Sequence, residues 1–211
     1  MFRKLFGRGG RSEADPLPVV RNVTIGRSVR LDPLAWRRLG GGARFRIDTD
    51  VLAVVAQGLI ETADGFVHRF YTEDDVMLQM VSPDRAGAGA EDFTLFTPWS
   101  SAYPPDAAAK RRWIDRLRAR TFTDEGLPEY RRFWFGEADE RQDPVSFWES
   151  VYDDRQMSSA RRIYQTCMLF ARDLPDEGRE LLLALEMEPE GGDLTHEVMV
   201  GIPLHTGEFE A

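Results

Sequence analysis

Between Val51 and Ser82 the chain reads VLAVVAQGLIET, then Ala63-Asp64-Gly65, then FVHRFYT, then Glu73-Asp74-Asp75, then VMLQMVS. Three runs rich in β-branched and aromatic residues are separated by short polar turns. That pattern predicts an antiparallel three-stranded meander, because tight connections can only reverse a strand. Asp and Gly suit such turns, since Asp side chains bond the local backbone and Gly accepts positive φ. A chain that spends this much of its length on hairpins is built around an antiparallel sheet.

The pattern continues downstream. DFTLFT (92–97), EYRRFWF (129–135) and PVSFWESVY (144–152) read as further strands. RRIYQTCMLFAR (161–172) and RELLLALEME (179–188) form a hairpin joined by Asp173 to Gly178, and THEVMVGIP (195–203) is a last strand. The 161–172 run is apolar at both parities, which predicts a central strand covered on both faces. NVTIGRSVRL (22–31) is a further strand, with Gly26 as a bulge. Helix signals are sparse. Asp32 and Pro33 open a short helix that Gly40 stops. Pro104-Pro105-Asp106 opens a longer one through about Ala119, its apolar face formed by Ala109, Trp113, Ile114 and Leu117. The expected class is therefore α+β: a mostly antiparallel sheet, one large or two packed, with one long and one short helix. The expected organisation is a flexible basic tail over 1–18, a single α+β domain over 19–204, and a loose tail over 205–211.

Charge divides the chain. Of a net charge of −9, residues 1–46 carry +8 and the remainder −17. Phe2, Leu5 and Phe6 alternate with Arg3, Lys4 and Arg8, an amphipathic pattern suited to an anionic membrane surface or a partner and too short to be helical alone. The N-terminus lacks the apolar core of a secretory signal, and no apolar run reaches bilayer length. These features give the expectation of a cytoplasmic protein. An acidic body argues against nucleic-acid binding.

Catalytic and cofactor patterns are missing from the sequence. The histidines His68, His196 and His205 have no metal-ligand spacing, and Cys167 is the only cysteine. Gly40-Gly41-Gly42 lacks the strand-before, helix-after context of a phosphate loop. The basic helix face and the Arg–aromatic mixture of YRRFWF read as solvated surface over core aromatics. Glu73, Asp74 and Asp75 do not have the alternating spacing of a calcium loop; they read as a solvated hairpin tip and as a partner-recognition site. No catalytic residue, metal or cofactor is expected.

The segment VHRFYTEDDVMLQM (67–80) resembles a motif of the YjfK-like bacterial family, and MFRKLFG, SVRLDPLAWRRL and YRRFWFG are similar to stretches at matching places. The resemblance spans nearly the whole chain, except that the long helix with its three alanines has no counterpart. It implies no activity. It implies a setting beside a PspA-like membrane-stress protein at the inner face of the cytoplasmic membrane. The first functional reading is thus a non-enzymatic accessory or interaction protein. The alternative is a ligand-binding protein or enzyme whose site is assembled from distant strands around His68, Tyr71, Glu73 and Asp75. Strand alternation already separates that set: Phe66, His68 and Phe70 share one face, Val67, Arg69 and Tyr71 the other.

Overall fold

The computed structural model describes residues 17–136, 140–175 and 178–211. Twelve strands and two helices follow in the order β1(Ser28–Leu31), α1(Leu34–Arg37), β2(Val51–Thr62), β3(Gly65–Thr72), β4(Met77–Ser82), β5(Asp92–Ala102), α2(Ala107–Leu117), β6(Thr121–Phe122), β7(Tyr130–Arg132), β8(Val145–Tyr152), β9(Arg161–Asp173), β10(Arg179–Pro189), β11(Thr195–Leu204) and β12(Phe209–Glu210).

The expected α+β arrangement is not what the chain forms. Strands β2-β3-β4-β5-β11-β10-β9-β8 pair in that order, all antiparallel, and β8 then pairs with β2. Eight strands therefore close into a barrel. The helix expected to be long has only 11 residues, and α1 has four. Both are attachments to the barrel wall, not a layer of their own. The closure follows from the two longest-serving strands. β2 uses one edge for β1 near its start and for β8 near its end. β9 pairs one edge with β8 at its start and with β7 at its end. β8 thus bridges the two free edges that would otherwise bound an open sheet, and closure removes them.

The meander predicted over 51–82 is present as β2–β3–β4, with Tyr71 opposite Met77 and His68 opposite Met80. Of the helix signals the Asp106 cap holds, while α1 starts one residue later than expected, with Pro33 rather than Asp32 at its N-cap and Arg38 at its C-cap. Asp32 accepts a hydrogen bond from the Leu34 N–H, Gly40 sits at φ +70, and Asp106 caps α2 by accepting from the Ala109 N–H at 2.7 Å. β1 is shorter than expected. Gly26, at φ +80, lies in the turn before it, not in a bulge within it. β12 pairs with β1 through Arg30–Glu210 and Leu31–Phe209.

Three apolar clusters fill the molecule. Inside the barrel lie Met77, Phe96, Cys167, Leu183, Leu185 and Met199. Outside, α2 lays Trp113 and Leu117 on Met168, Phe170 and Leu182. A third cluster joins Val20, Val23, Leu31 and Phe45 to the outward faces of β3, β4 and β5. Most strands are consequently covered on both sides, as the parity of β9 predicts. Gly201 lets Phe96 lie against the β11 backbone, where any Cβ would overlap its ring.

Candidate functional site at the barrel mouth

Polar side chains interrupt the inward parity of three strands and meet at the centre of the barrel. Arg69 on β3 is almost wholly buried, and Glu149 on β8 and Gln165 on β9 are fully so. Arg69 Nη1 donates to Glu149 Oε2 at 3.1 Å and to Gln165 Oε1 at 2.7 Å, and its Nε donates to Gln79 Oε1 at 3.0 Å. The Tyr71 hydroxyl donates to Glu149 Oε1 at 2.7 Å, and Gln165 Nε2 donates to Glu149 Oε2. Gly58 on β2 leaves the space that the Glu149 carboxylate occupies; a Cβ there would overlap it.

This network is built to keep its protons. Burial, reinforced by Glu149, pushes the Tyr71 phenol well above its ordinary pKa. Burial pushes the Cys167 thiol up to about 12. Burial opposes the Arg69 charge, but Glu149 and Tyr71 outweigh it and hold the proton more tightly than usual. A neutral phenol, a neutral thiol and a fixed guanidinium exchange no proton near neutral pH. The cluster is a strut across the barrel, its carboxylate Glu149 held by Arg69, Tyr71 and Gln165.

The barrel is open above and below this strut. At one end a cavity of about 960 Å³ runs over the rim, lined by Val67 and Phe147 on the inward face and by Leu59, Ser150 and Trp148 on the outward face, with Trp134 and Phe135 beside them. The Phe147 ring lies 5.6 Å from the Arg69 guanidinium carbon. At the other end a cavity of about 600 Å³ has apolar walls from Val151, Ile163, Leu185, Met187 and Met199. Tyr71, Asp75 and Glu197 supply its polar groups. Burial raises the Glu197 pKa; the Thr195 hydroxyl opposes this and the Asp75 charge adds to it. The rim carries Asp153, paired with Arg161 at 3.0 Å. This mouth therefore combines an apolar interior with negative charge that its own surroundings disfavour.

The residues singled out in the sequence separate as alternation requires. Tyr71 and Asp75 meet at the acidic mouth. Glu73 and Asp74 are exposed at the same hairpin tip and do not line the cavity. His68 points out of the barrel, is fully buried, and has no hydrogen bond of good geometry at either ring nitrogen among the described residues. Burial lowers its pKa, with the nearby Asp84 opposing. Phe2, Arg3, Lys4, Leu5, Phe6 and Arg8 lie outside the described residues. Sequence reasoning missed Arg69, Glu149, Gln165 and Glu197. Their signal was a polar residue at the inward parity of an otherwise apolar strand, as Gln165 is between Ile163 and Cys167.

A second polar cluster lies outside the barrel, under α2. His196 stacks on Trp113 with ring centroids 4.5 Å apart, and its Nε2 is 3.1 Å from Glu186 Oε2. Lys110 Nζ approaches Glu186 at 3.4 Å. Among the described residues no hydroxyl or thiol hydrogen-bonds to His196, whose ring nitrogen instead faces Glu186. No group of three or more His, Cys, Asp or Glu among the described residues is placed to hold a metal ion.

The fold and its interior define a closed, eight-stranded antiparallel barrel with a polar strut and an acidic, apolar-walled mouth. The chain belongs to the family described as "Protein of unknown function (DUF2491)", which it matches over residues 1–210. No curated protein and no solved structure matches it.

Proposed function

We propose that the chain is a ligand-binding accessory protein whose site is the acidic mouth of the barrel. The ligand class is a small molecule with an apolar body and a cationic nitrogen. The observation that carries this is Glu197: a carboxylate drawn into an apolar cavity beside Asp75, with its pKa raised by burial. An incoming cation relieves the disfavoured charge while the apolar walls take the rest of the molecule. Eight-stranded barrels commonly use a mouth in this way. The test is titration of the ¹⁵N-labelled protein with hexylamine, hexanol and hexanoate, followed by NMR. Hexylamine is expected to shift the amides of Tyr71, Glu197 and Met199, hexanol weakly, and hexanoate not at all. Asp75→Asn with Glu197→Gln is expected to weaken the amine about tenfold. Equal binding of amine and alcohol removes the charge argument, and no shift at the mouth from any of the three removes the site.

The accessory part of the reading is supported by the way the polar groups at the barrel centre are taken up by one another. Partner recognition by Glu73, Asp74 and Asp75 belongs to it, since the first two are exposed beside the mouth that Asp75 lines. So do kinship with YjfK-like proteins, a PspA-like partner and a place at the inner face of the cytoplasmic membrane. The support for membrane contact is the basic amphipathic run from Phe2 to Arg8. Co-sedimentation with anionic liposomes, using the full chain and a chain lacking residues 1–11, is expected to show loss of binding in the shorter one. Equal sedimentation would sink the membrane contact.

A further inference from the structure

Where β6 and β7 extend the sheet along the last residues of β9, the molecule gathers arginine. A cleft of about 500 Å³ is lined by Arg120, Arg131, Arg132, Arg172 and Arg179, with Phe133 beside them. The carboxylates lining it are Glu129 and Asp173. Five guanidinium groups line it with two carboxylates among the described residues, and Glu180 lies beneath Arg172, so arginines outnumber acids here on a chain whose net charge is −9. A solvated surface of an acidic protein gives no reason for such a concentration, since like charges repel one another there.

The arginines are not equivalent. Arg172 is held by Glu180 at 2.6 Å and donates to the Gly42 carbonyl at 2.7 Å. Its Glu180 partner is fully buried and also accepts from the Tyr130 hydroxyl and the Arg44 and Phe45 N–H groups. Arg132 donates to the Glu140 carbonyl. These contacts fix the floor of the cleft. Arg179 pairs with the exposed Asp173 at 3.1 Å and lies 5.5 Å from the Phe133 ring centre. Arg131 is exposed, stands opposite Thr121 on β6 and Ala171 on β9, and its side chain makes no hydrogen bond or ion pair among the described residues. The cleft therefore has a preorganised base and two forks at its edge, one unengaged and one tied only to a surface carboxylate.

We propose that this cleft binds a polyanionic phosphate, with Arg131 and Arg179 as the recognition residues. Guanidinium groups match phosphate oxygens in pairs, and several of them together suit more than one negative charge. The site is independent of the acidic mouth, which attracts the opposite charge. A soluble phosphate compound and a phosphorylated lipid headgroup share this chemistry.

The experiment follows the arginine Nε–Hε signals of the full chain by NMR during titration with pyrophosphate, and with vesicles containing phosphatidate in a parallel arm. The expected result is saturable binding in at least one arm, weakened about tenfold by Arg131→Ala and by Arg179→Ala and unchanged by Arg155→Ala. Arg155 is an exposed arginine outside the cleft. Arg131 supports no other side chain, so its variant folds if the wild type does, and matching far-ultraviolet circular dichroism verifies this. Binding in the pyrophosphate arm identifies a soluble ligand, and binding confined to vesicles identifies a headgroup. Absence of binding in both arms overturns the proposal. So does binding that survives Arg131→Ala and Arg179→Ala, or that Arg155→Ala weakens equally.

Discussion

Arg69 and Glu149 carry the largest risk taken by any side chains in the molecule. Two charges are buried inside the barrel, and each is tolerable only because the other is there. Gln165, Gln79 and Tyr71 supply the remaining hydrogen bonds. Removing one charge strands the other. Arg69→Met or Glu149→Leu alone is therefore expected to cost about 3–5 kcal/mol in urea unfolding, and the double variant less than either. A double variant as unstable as the sum of the singles would show that the pair is not coupled. Glu197 poses the opposite problem, a carboxylate the fold prefers protonated. Its folded pKa is raised, so the stability it adds is complete below the unfolded carboxylate range and lost as pH rises through the folded value. Glu197→Gln should then match the wild type at pH 4 and exceed it at pH 7, by about 1–3 °C in Tm. A variant less stable at pH 7 than the wild type would reverse the sign and sink the assignment.

At the level of elements, the sequence was informative wherever a signal is local. The hairpins β2–β3–β4 and β9–β10 are written in adjacent strands and short turns, and the Asp106 cap of α2 in three residues. The ends were less legible. EYRRFWF yields a strand only over Tyr130–Arg132, because Trp134, Phe135 and Gly136 turn away, the last two at positive φ. DFTLFT extends to Ala102, through Pro98 and a bulge in its pairing with β11. The second helix ends at Leu117 although its basic face continues in Arg118 and Arg120, because Arg118 is the C-cap and the chain bends through Ala119 and Arg120 before β6. The candidate site was half legible. Alternation separated His68 from Tyr71 without any structure. It could not say that Tyr71 would meet Glu149, 78 residues away, or Glu197 on β11.

At the level of the whole molecule, closure was the feature no local signal carried. An open sheet and a closed barrel share the same hairpins; they differ only in the non-local pairings of β5 with β11 and of β8 with β2. The second of these seals the barrel. Ser150 lies opposite Leu59 on one side and Arg162 on the other, so β8 is a central strand at that point. Proline there removes a ladder N–H and crowds a neighbouring strand. Cys167 reports on the same seam, since it is fully buried in the barrel and stands opposite Val145 on β8. Its thiol, held up at about 12 by burial, should react with a disulfide reagent only when the seam or the whole fold opens. In the wild type, labelling at pH 8 should be slower than that of the urea-unfolded chain by several orders of magnitude. Ser150→Pro should cost about 3 kcal/mol or more, and labelling of folded molecules should accelerate at least a hundredfold. If labelling is fast in the wild type, or Ser150→Pro leaves it unchanged while the chain stays folded, β8 does not seal the barrel. The strut beneath the acidic mouth would then lose its wall, because Glu149 stands on that strand.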